Sequence, residues 1–432
     1  MASALLEKLW RNRGSLLPVV WGPALGMLGL ALGMRVLTEV ASPETFGEAK
    51  LVQAAAVLGL GLVSRPFAQF AMREYHDAKQ LGRELAFEAF ARRMQAFLAA
   101  SLSVLTVGSL LVAMRLGLPI TWTAAAAAGG MLLVELAMSI DLSLAQTRNL
   151  QRLVSVVDSA KQWGQPLLAA ALIFLVADTA ALLIWGNTIA TVGCALALRR
   201  SLGTADPLQI PTVEEARKWR LEATRFVVPM LGAGLFNWVI SVGDRYLLAY
   251  YCGQEEVGRY SAVYGLISLP IVAAGGMLAR ALFPLVFRAA SRNDVVSQGW
   301  LLRNMFLLAS AIGAAAVVGV VFFGPWALRL VLAPRYLEGS QPLLVWLAAG
   351  HACLIVAFCL DMKAYAQKLT LAFTIATAAA ALTNVALNIA WIPTLGALGA
   401  ARATFAGYLV YLLASALVLS RASRSGAAET TS

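Results

Sequence analysis

Two full charges, Asp244 and Arg245, stand side by side in a stretch otherwise fit for hydrocarbon, GAGLFNWVISVGDRYLLAYYCG. A second apolar run, QEEVGRYSAVYGLISLPIVAAGGMLARAL, follows after a short polar turn. Charge at membrane depth is costly and persists where it faces a partner or a water-filled cavity. At helical pitch Asn237, Ser241, Asp244 and Arg245 fall on one face, within an arc of about 100°. Adjacent residues diverge by roughly the same angle, so each charge needs a partner on another helix. The pair then either locks two helices together or lines a polar cavity that receives a charged cargo. Either way the hairpin is interior.

Five more cations fall inside apolar runs: Arg35, Lys50, Arg65, Arg280 and Arg402. Taken singly, each has a structural reading: Arg65 and Arg280 can snorkel to the headgroups, and Arg35 can pair with Glu39. Taken together with Arg245, guanidinium and ammonium groups at two depths suit a phosphate-bearing cargo. Among intramembrane acids Glu135 sits mid-span on a face with Ser139, Ser143 and Gln146. It reads either as a proton or sodium site for coupling or, preferably, as the partner of a cation. Polar stripes at Thr374, Thr377, Asn384 and Asn388, and at Tyr260, Tyr264 and Ser268, fit interhelical hydrogen bonds. Pro270 followed by Gly275-Gly276 suggests a helix that bends. His76 and His351 stand alone, and no phosphate-cradling loop, metal-ligand cluster or nucleophile elbow appears. No catalysis, cofactor or metal is expected.

The elements that must position these residues are membrane helices. Hydrophobic residues make up 60% of the 432 and charged residues 13%, against about half and about a quarter in a soluble domain. Apolar runs of about 20 residues give about twelve spans. In the first half they lie near 16–40, 46–70, 94–115, 120–145, 154–177 and 179–198. In the second they lie near 225–250, 258–283, 303–325, 340–361, 369–392 and 396–420. The first run is too long for a signal sequence and is expected to remain as a helix.

The net charge of +11 follows the positive-inside rule rather than a nucleic-acid partner. Arg73, Lys79, Arg83, Arg92 and Arg93 crowd one loop and Arg199, Arg200, Arg217, Lys218 and Arg220 another, so both termini are placed in the cytoplasm. The cysteines Cys194, Cys252, Cys353 and Cys359 read as small hydrophobes.

Four segments result: a six-helix bundle over 1–198, a cytoplasmic linker over 199–224, a second bundle over 225–420, and a polar, disordered tail over 421–432. In the linker, Thr212-Val-Glu-Glu215 is a capping-box pattern that starts a short helix. With Trp219 among basic residues, that helix is expected on the membrane surface. Arg35 leads to Phe46-Gly47 at nearly the spacing by which Arg245 leads to Val257-Gly258, a weak internal repeat. Six helices per half makes an even number, which implies two bundles related by a pseudo-two-fold axis along the membrane normal.

The stretch NWVISVGDRYLLAYYCGQEEVGRYSAVYGL resembles the seventh-to-eighth helix pattern of bacterial polysaccharide transporters, met by Asp244, Arg245, Gly258, Tyr260 and Ser261. MRVLTEVASPETFGEAKL and NVALNIAWIPTLGALGAARAT resemble two further helix turns of that family, although Glu48-Ala49 stands where an aromatic is commoner. The chain is thus similar to Wzx-type flippases of the multidrug/oligosaccharidyl-lipid/polysaccharide superfamily.

The resemblance implies two bundles in an inverted V in the bacterial inner membrane. It further implies alternating access, with an undecaprenyl-pyrophosphate-linked oligosaccharide as cargo for O-antigen, capsule or exopolysaccharide. Membrane lipids, a glycan polymerase and chain-length proteins are the implied partners. Arg245, with Arg35, Lys50, Arg65, Arg280, Arg402 and Asn237, is expected to meet the cargo; Asp244 and Glu135 serve as coupling or ion-pair groups. A multidrug or cation extruder of the same superfamily is the competing expectation, although cationic drugs favour an acidic cavity. A membrane glycan polymerase ranks third, because the outer loops are short.

Overall fold

The computed structural model describes residues 13–203, 210–291, 294–366 and 370–429. All regular structure among them is helical. Ten helical stretches are long and apolar enough to cross a membrane, and the chain is an all-α, multi-pass membrane protein. The helices form two compact units that meet in sequence at Leu231 and Gly232.

The first unit holds α1 (Arg13–Val40), α2 (Pro43–Gly59), α3 (Arg65–Gln80), α4 (Glu84–Arg115), α5 (Trp122–Thr147), α6 (Gln151–Leu175), α7 (Ala180–Leu202) and α8 (Val213–Val227). A π-helical turn, Leu60–Ser64, joins α2 to α3 into one span. The second unit holds α9 (Leu231–Val242), α10 (Asp244–Cys252), α11 (Gln254–Ser291), α12 (Val295–Val331), α13 (Gln341–Ala366), α14 (Thr370–Leu395) and α15 (Ala397–Glu429). A 3-10 turn, Val228–Met230, leads from α8 into α9.

Each unit has six long spans, counting α2–α3 and α9–α10 as one each, and the packing order is the same in both. In the first unit α5 packs on α3, α4 and α7, and α6 packs on α1 and α7. In the second α13 packs on α11, α12 and α15, and α14 packs on α10 and α15. The repeat hinted at by two Arg-to-Gly spacings is therefore a repeat of packing. Even its turns correspond. In the first unit the Ser42 amide donates to Asp178 Oδ2 at 3.0 Å, tying the first interhelical turn to the fifth. In the second the Ala397 amide donates to Glu256 Oε1 at 3.3 Å, tying the matching pair.

Close backbone approach holds the first unit's outermost helix. Along α1, Gly22, Gly26, Gly29 and Gly33 line the face against α6, and a Cβ on Gly29 or Gly33 would come within 2.3 Å of Trp163 or Pro166. Small residues let membrane helices gain dispersion contact where no hydrophobic driving force acts. The stripe is also stitched: Ser159 Oγ donates to the Gly22 carbonyl at 2.8 Å and Trp163 Nε1 to the Leu25 carbonyl at 2.9 Å. Asp158, Lys161, Gln162 and Gln165 keep α6 outside the ten apolar stretches, and its polar side chains face α1, α5 and α7.

Three expectations change. The basic segment between Arg73 and Arg93 is no loop: α3 runs to Gln80, and the chain turns over residues 81–83 into α4. The linker helix forms as the capping box requires, with Thr212 Oγ1 accepting from the Glu215 amide and Glu215 returning the bond. It does not, however, turn Trp219 to lipid. Trp219 is buried, edge-on to Phe87 at 5.2 Å and tilted on Phe90 at 5.4 Å. Those rings extend an aromatic core with Phe67 and Phe70, which offers more contact than a headgroup layer.

Finally, α15 continues to Glu429, through most of the polar tail. Ala and Arg there are good helix formers. The amphipathic N-terminal start before residue 13 lies outside the described residues, as do 204–209 of the linker.

Candidate functional site

In the second unit the helical run is interrupted at Gly243, and Asp244 and Arg245 open α10. Both are buried. Asp244 Oδ2 accepts a 2.5 Å hydrogen bond from Tyr260 OH on α11, and Tyr260 OH lies 3.5 Å from Thr404 Oγ1 on α15. Arg245 donates through Nε to Ser261 Oγ at 3.2 Å and through Nη1 to the Ser241 carbonyl at 3.0 Å. Its guanidinium stacks over the Tyr264 ring at 4.9 Å. Tyr264 meets His351 edge-on, and His351 meets Tyr408.

The two charges are 3.8 Å apart, too far for a hydrogen bond. Each therefore finds its principal partner on α11, as the angular argument requires. The Tyr260–Tyr264 stripe supplies both: a donor for the carboxylate and a π face for the cation.

In the first unit Glu135 on α5 faces α6 and α7. Lys161 Nζ lies 2.5 Å from its Oε2, while Gln165 Nε2 and Thr191 Oγ1 donate to its Oε1 at 3.2 and 3.3 Å. Nearer the α3–α4 turn, Glu88 pairs with Arg148, and Arg92 Nε donates to Asp141 Oδ1 at 2.8 Å. Between these clusters Gln95 donates to Ser64 Oγ at 2.8 Å and to the Leu136 carbonyl at 2.9 Å, beside the π-helical turn.

The remaining sequence-selected cations are dispersed. Arg35 pairs with Glu39 at 2.5 Å on a half-exposed face of α1. Lys50 donates to Gln53 at 3.0 Å and lies 5.0 Å from the Phe46 ring centroid. Arg65 is exposed at the start of α3. Arg402 lies over Trp346 at 5.3 Å with its Nε buried and unbonded. Asn237 is exposed, apart from the cluster that Ser241, Asp244 and Arg245 join. The side chain of Arg280 lies outside the described residues.

Lys161 is the cation that partners Glu135, and it is absent from the sequence-selected cations because it lies near the start of the 154–177 run. Sequence reasoning also passed over Thr404, whose signal, a hydroxyl two residues from an intramembrane arginine, is indistinguishable from ordinary packing. Glu48 caps a helix: its Oε1 accepts from the Thr121 amide and hydroxyl, each at 2.6 Å, at the start of α5. This explains an acid where an aromatic was expected.

A family model described as polysaccharide biosynthesis protein matches residues 24–290, from α1 through the whole charged hairpin. Among solved structures, the chain superposes on an inward-facing multidrug resistance MATE family transporter of the MOP superfamily with a TM-score of 0.71. Identity is 15%, and the match covers 95% of this chain and 96% of that one. It superposes equally on the lipid II flippase MurJ in an inward closed conformation, at TM-score 0.71 and 14% identity, covering 94% and 87%. A MOP superfamily transporter from Pyrococcus furiosus gives 0.62 at 13% identity, covering 95% of each chain. No curated protein matches the sequence. At these identities the likeness speaks for the fold.

Proposed function

The chain belongs to the polysaccharide biosynthesis protein family, and from that premise we propose that it moves an undecaprenyl-pyrophosphate-linked oligosaccharide to the outer leaflet of the bacterial inner membrane. It is a membrane flippase rather than an enzyme, and it works by alternating access toward O-antigen, capsule or exopolysaccharide. The observation that carries the reading is the family match over residues 24–290, which takes in the buried Asp244–Arg245 pair together with Arg35, Lys50 and Arg65.

In this reading Arg245, with Arg35, Lys50, Arg65, Arg280 and Arg402, supplies the positive potential that a pyrophosphate crosses, and Asn237 hydrogen-bonds sugar. Arg245 is the positioned member, because Ser241, Ser261 and Tyr264 fix its planar fork before cargo arrives. Asp244 holds the hairpin through Tyr260. Glu135 serves first as the partner of Lys161, with ion coupling through that pair as the lesser reading.

The test is reconstitution. Vesicles loaded with undecaprenyl-pyrophosphate-linked oligosaccharide should expose it to an external glycosidase at a rate that depends on the protein. The fold is equally that of a drug exporter, so the same vesicles are assayed with a fluorescent cationic drug. Drug movement without lipid-linked glycan movement reverses the assignment.

A further inference from the structure

An apolar cavity of about 600 Å³ lies within the first unit, among α3, α4 and α8, with Val63 of the π-helical turn in its lining. Val63, Phe67, Phe97, Leu98 and Val228 are among its walls, and two charged side chains line it, Arg93 and Arg220. No carboxylate lines it. Its mouth is apolar and open: Phe97 is 67% exposed and Val228 54%. Both belong to stretches apolar enough to lie in a bilayer. A cavity of this size is in the range of small-ligand pockets.

The arginines are the second observation. Two nearby acids are already engaged, Asp141 by Arg92 and Arg199 and Glu215 by Arg83. Arg93 and Arg220 are exposed, and among the described residues neither guanidinium has an ion pair. An open apolar slot with two guanidiniums outside any ion pair and no acid is complementary to an alkyl chain that ends in a phosphate.

We propose that this groove holds one anionic phospholipid, its acyl chain lying between Phe67, Phe97 and Val228 and its phosphate on Arg93 and Arg220. Because α8 forms one wall, the bound lipid fastens the linker helix to α3 and α4. None of the groove's lining residues belongs to the charged hairpin, so the inference stands whatever cargo the protein carries.

The purified full chain, stripped by delipidating detergent, is titrated with phosphatidylglycerol or phosphatidylcholine, and retention is read by native mass spectrometry. One phosphatidylglycerol should be retained in preference to phosphatidylcholine. Arg93→Gln with Arg220→Gln should cut that preference by about thirty-fold, the loss of two cationic contacts at a membrane surface, whereas Arg93→Lys with Arg220→Lys should keep most of it. Thr224→Trp, which fills the groove, should lower retention of both lipids.

Should the variants fold poorly, a photoreactive phosphatidylglycerol bound to the unaltered protein must cross-link within residues 63–67, 93–98 or 220–228. Equal retention of the two lipids, an unaltered preference in the glutamine variant, or cross-links confined elsewhere overturns the proposal. Displacement of phosphatidylglycerol by an equal amount of undecaprenyl phosphate also overturns it, and makes the groove a cargo site instead.

Discussion

A carboxylate as enclosed as Asp244 persists because Tyr260 donates to it and Arg245 stands beside it, and this neighbourhood lets the role of Arg245 be measured. Removing one member of a buried pair strands the other, typically at a cost of roughly 3–5 kcal/mol. Arg245→Ala should therefore lower unfolding stability by about that amount, while Asp244→Asn in the same chain should restore a large part, as read from denaturant unfolding in detergent. If the restored double variant still fails to bind undecaprenyl-pyrophosphate-glycan, Arg245 touches cargo. If it binds as the parent does, the arginine is a brace. Arg83, in the turn before α4, and Glu215, in the first turn of α8, give a second residue-scale test. The guanidinium donates to both carboxylate oxygens, at 2.8 and 2.7 Å, and its hydrogen bonds hold the Glu215 carboxyl down to about 2. A carboxylate lowered in the folded state stabilises fully above the ordinary range and loses that contribution as pH falls through the lowered value. Pepsin should thus spare α8 at pH 4 and cut it near pH 2, and Arg83→Ala should move the onset of cutting up toward the ordinary carboxylate range.

At the scale of elements, contact distance decides what can change. A Cβ on Gly186 of α7 would lie 2.4 Å from backbone atoms of Ala169 on α6. No rotamer can relieve that, so Gly186→Ala should separate the helices and cost roughly 1–3 kcal/mol, measurable as a lowered thermal midpoint. The same contacts show where the sequence was and was not readable. The start of α8 was legible because a capping box is local: Thr212 and Glu215 satisfy each other within one turn. Its docking was not, because Phe87 and Phe90 lie far upstream and nothing in a basic helix with one tryptophan distinguishes a protein groove from a headgroup layer. The α1 glycines were likewise silent. Each looks like a weak helix former until Trp163 and Pro166 fill the face they leave. The polar stripe of α11 was legible, since Tyr260, Tyr264 and Ser268 recur at helical spacing, but its partners on α10, α13 and α15 were not.

For the whole molecule, two six-span units with one packing order were legible as a count of apolar runs and a charge asymmetry, and only faintly as a repeat. The packing order lives in contacts between spans far apart in the chain, which no local pattern announces. Because α8 is held to the first unit by Arg83 and the aromatic core, not by the linker peptide alone, the chain should tolerate a break within 204–209. Two co-expressed pieces divided there should co-purify, and Arg83→Ala combined with Trp219→Ala should reduce their recovery together. The α1–α6 interface also sets a timetable. The bond from Ser159 to the Gly22 carbonyl closes 137 residues of chain, and at roughly 5–20 residues per second a ribosome needs on the order of ten seconds to deliver them. Through that interval α1 must wait at the insertion machinery with its glycine groove unfilled, so the first helix made is seated only after the spans of α2 to α5 have followed it.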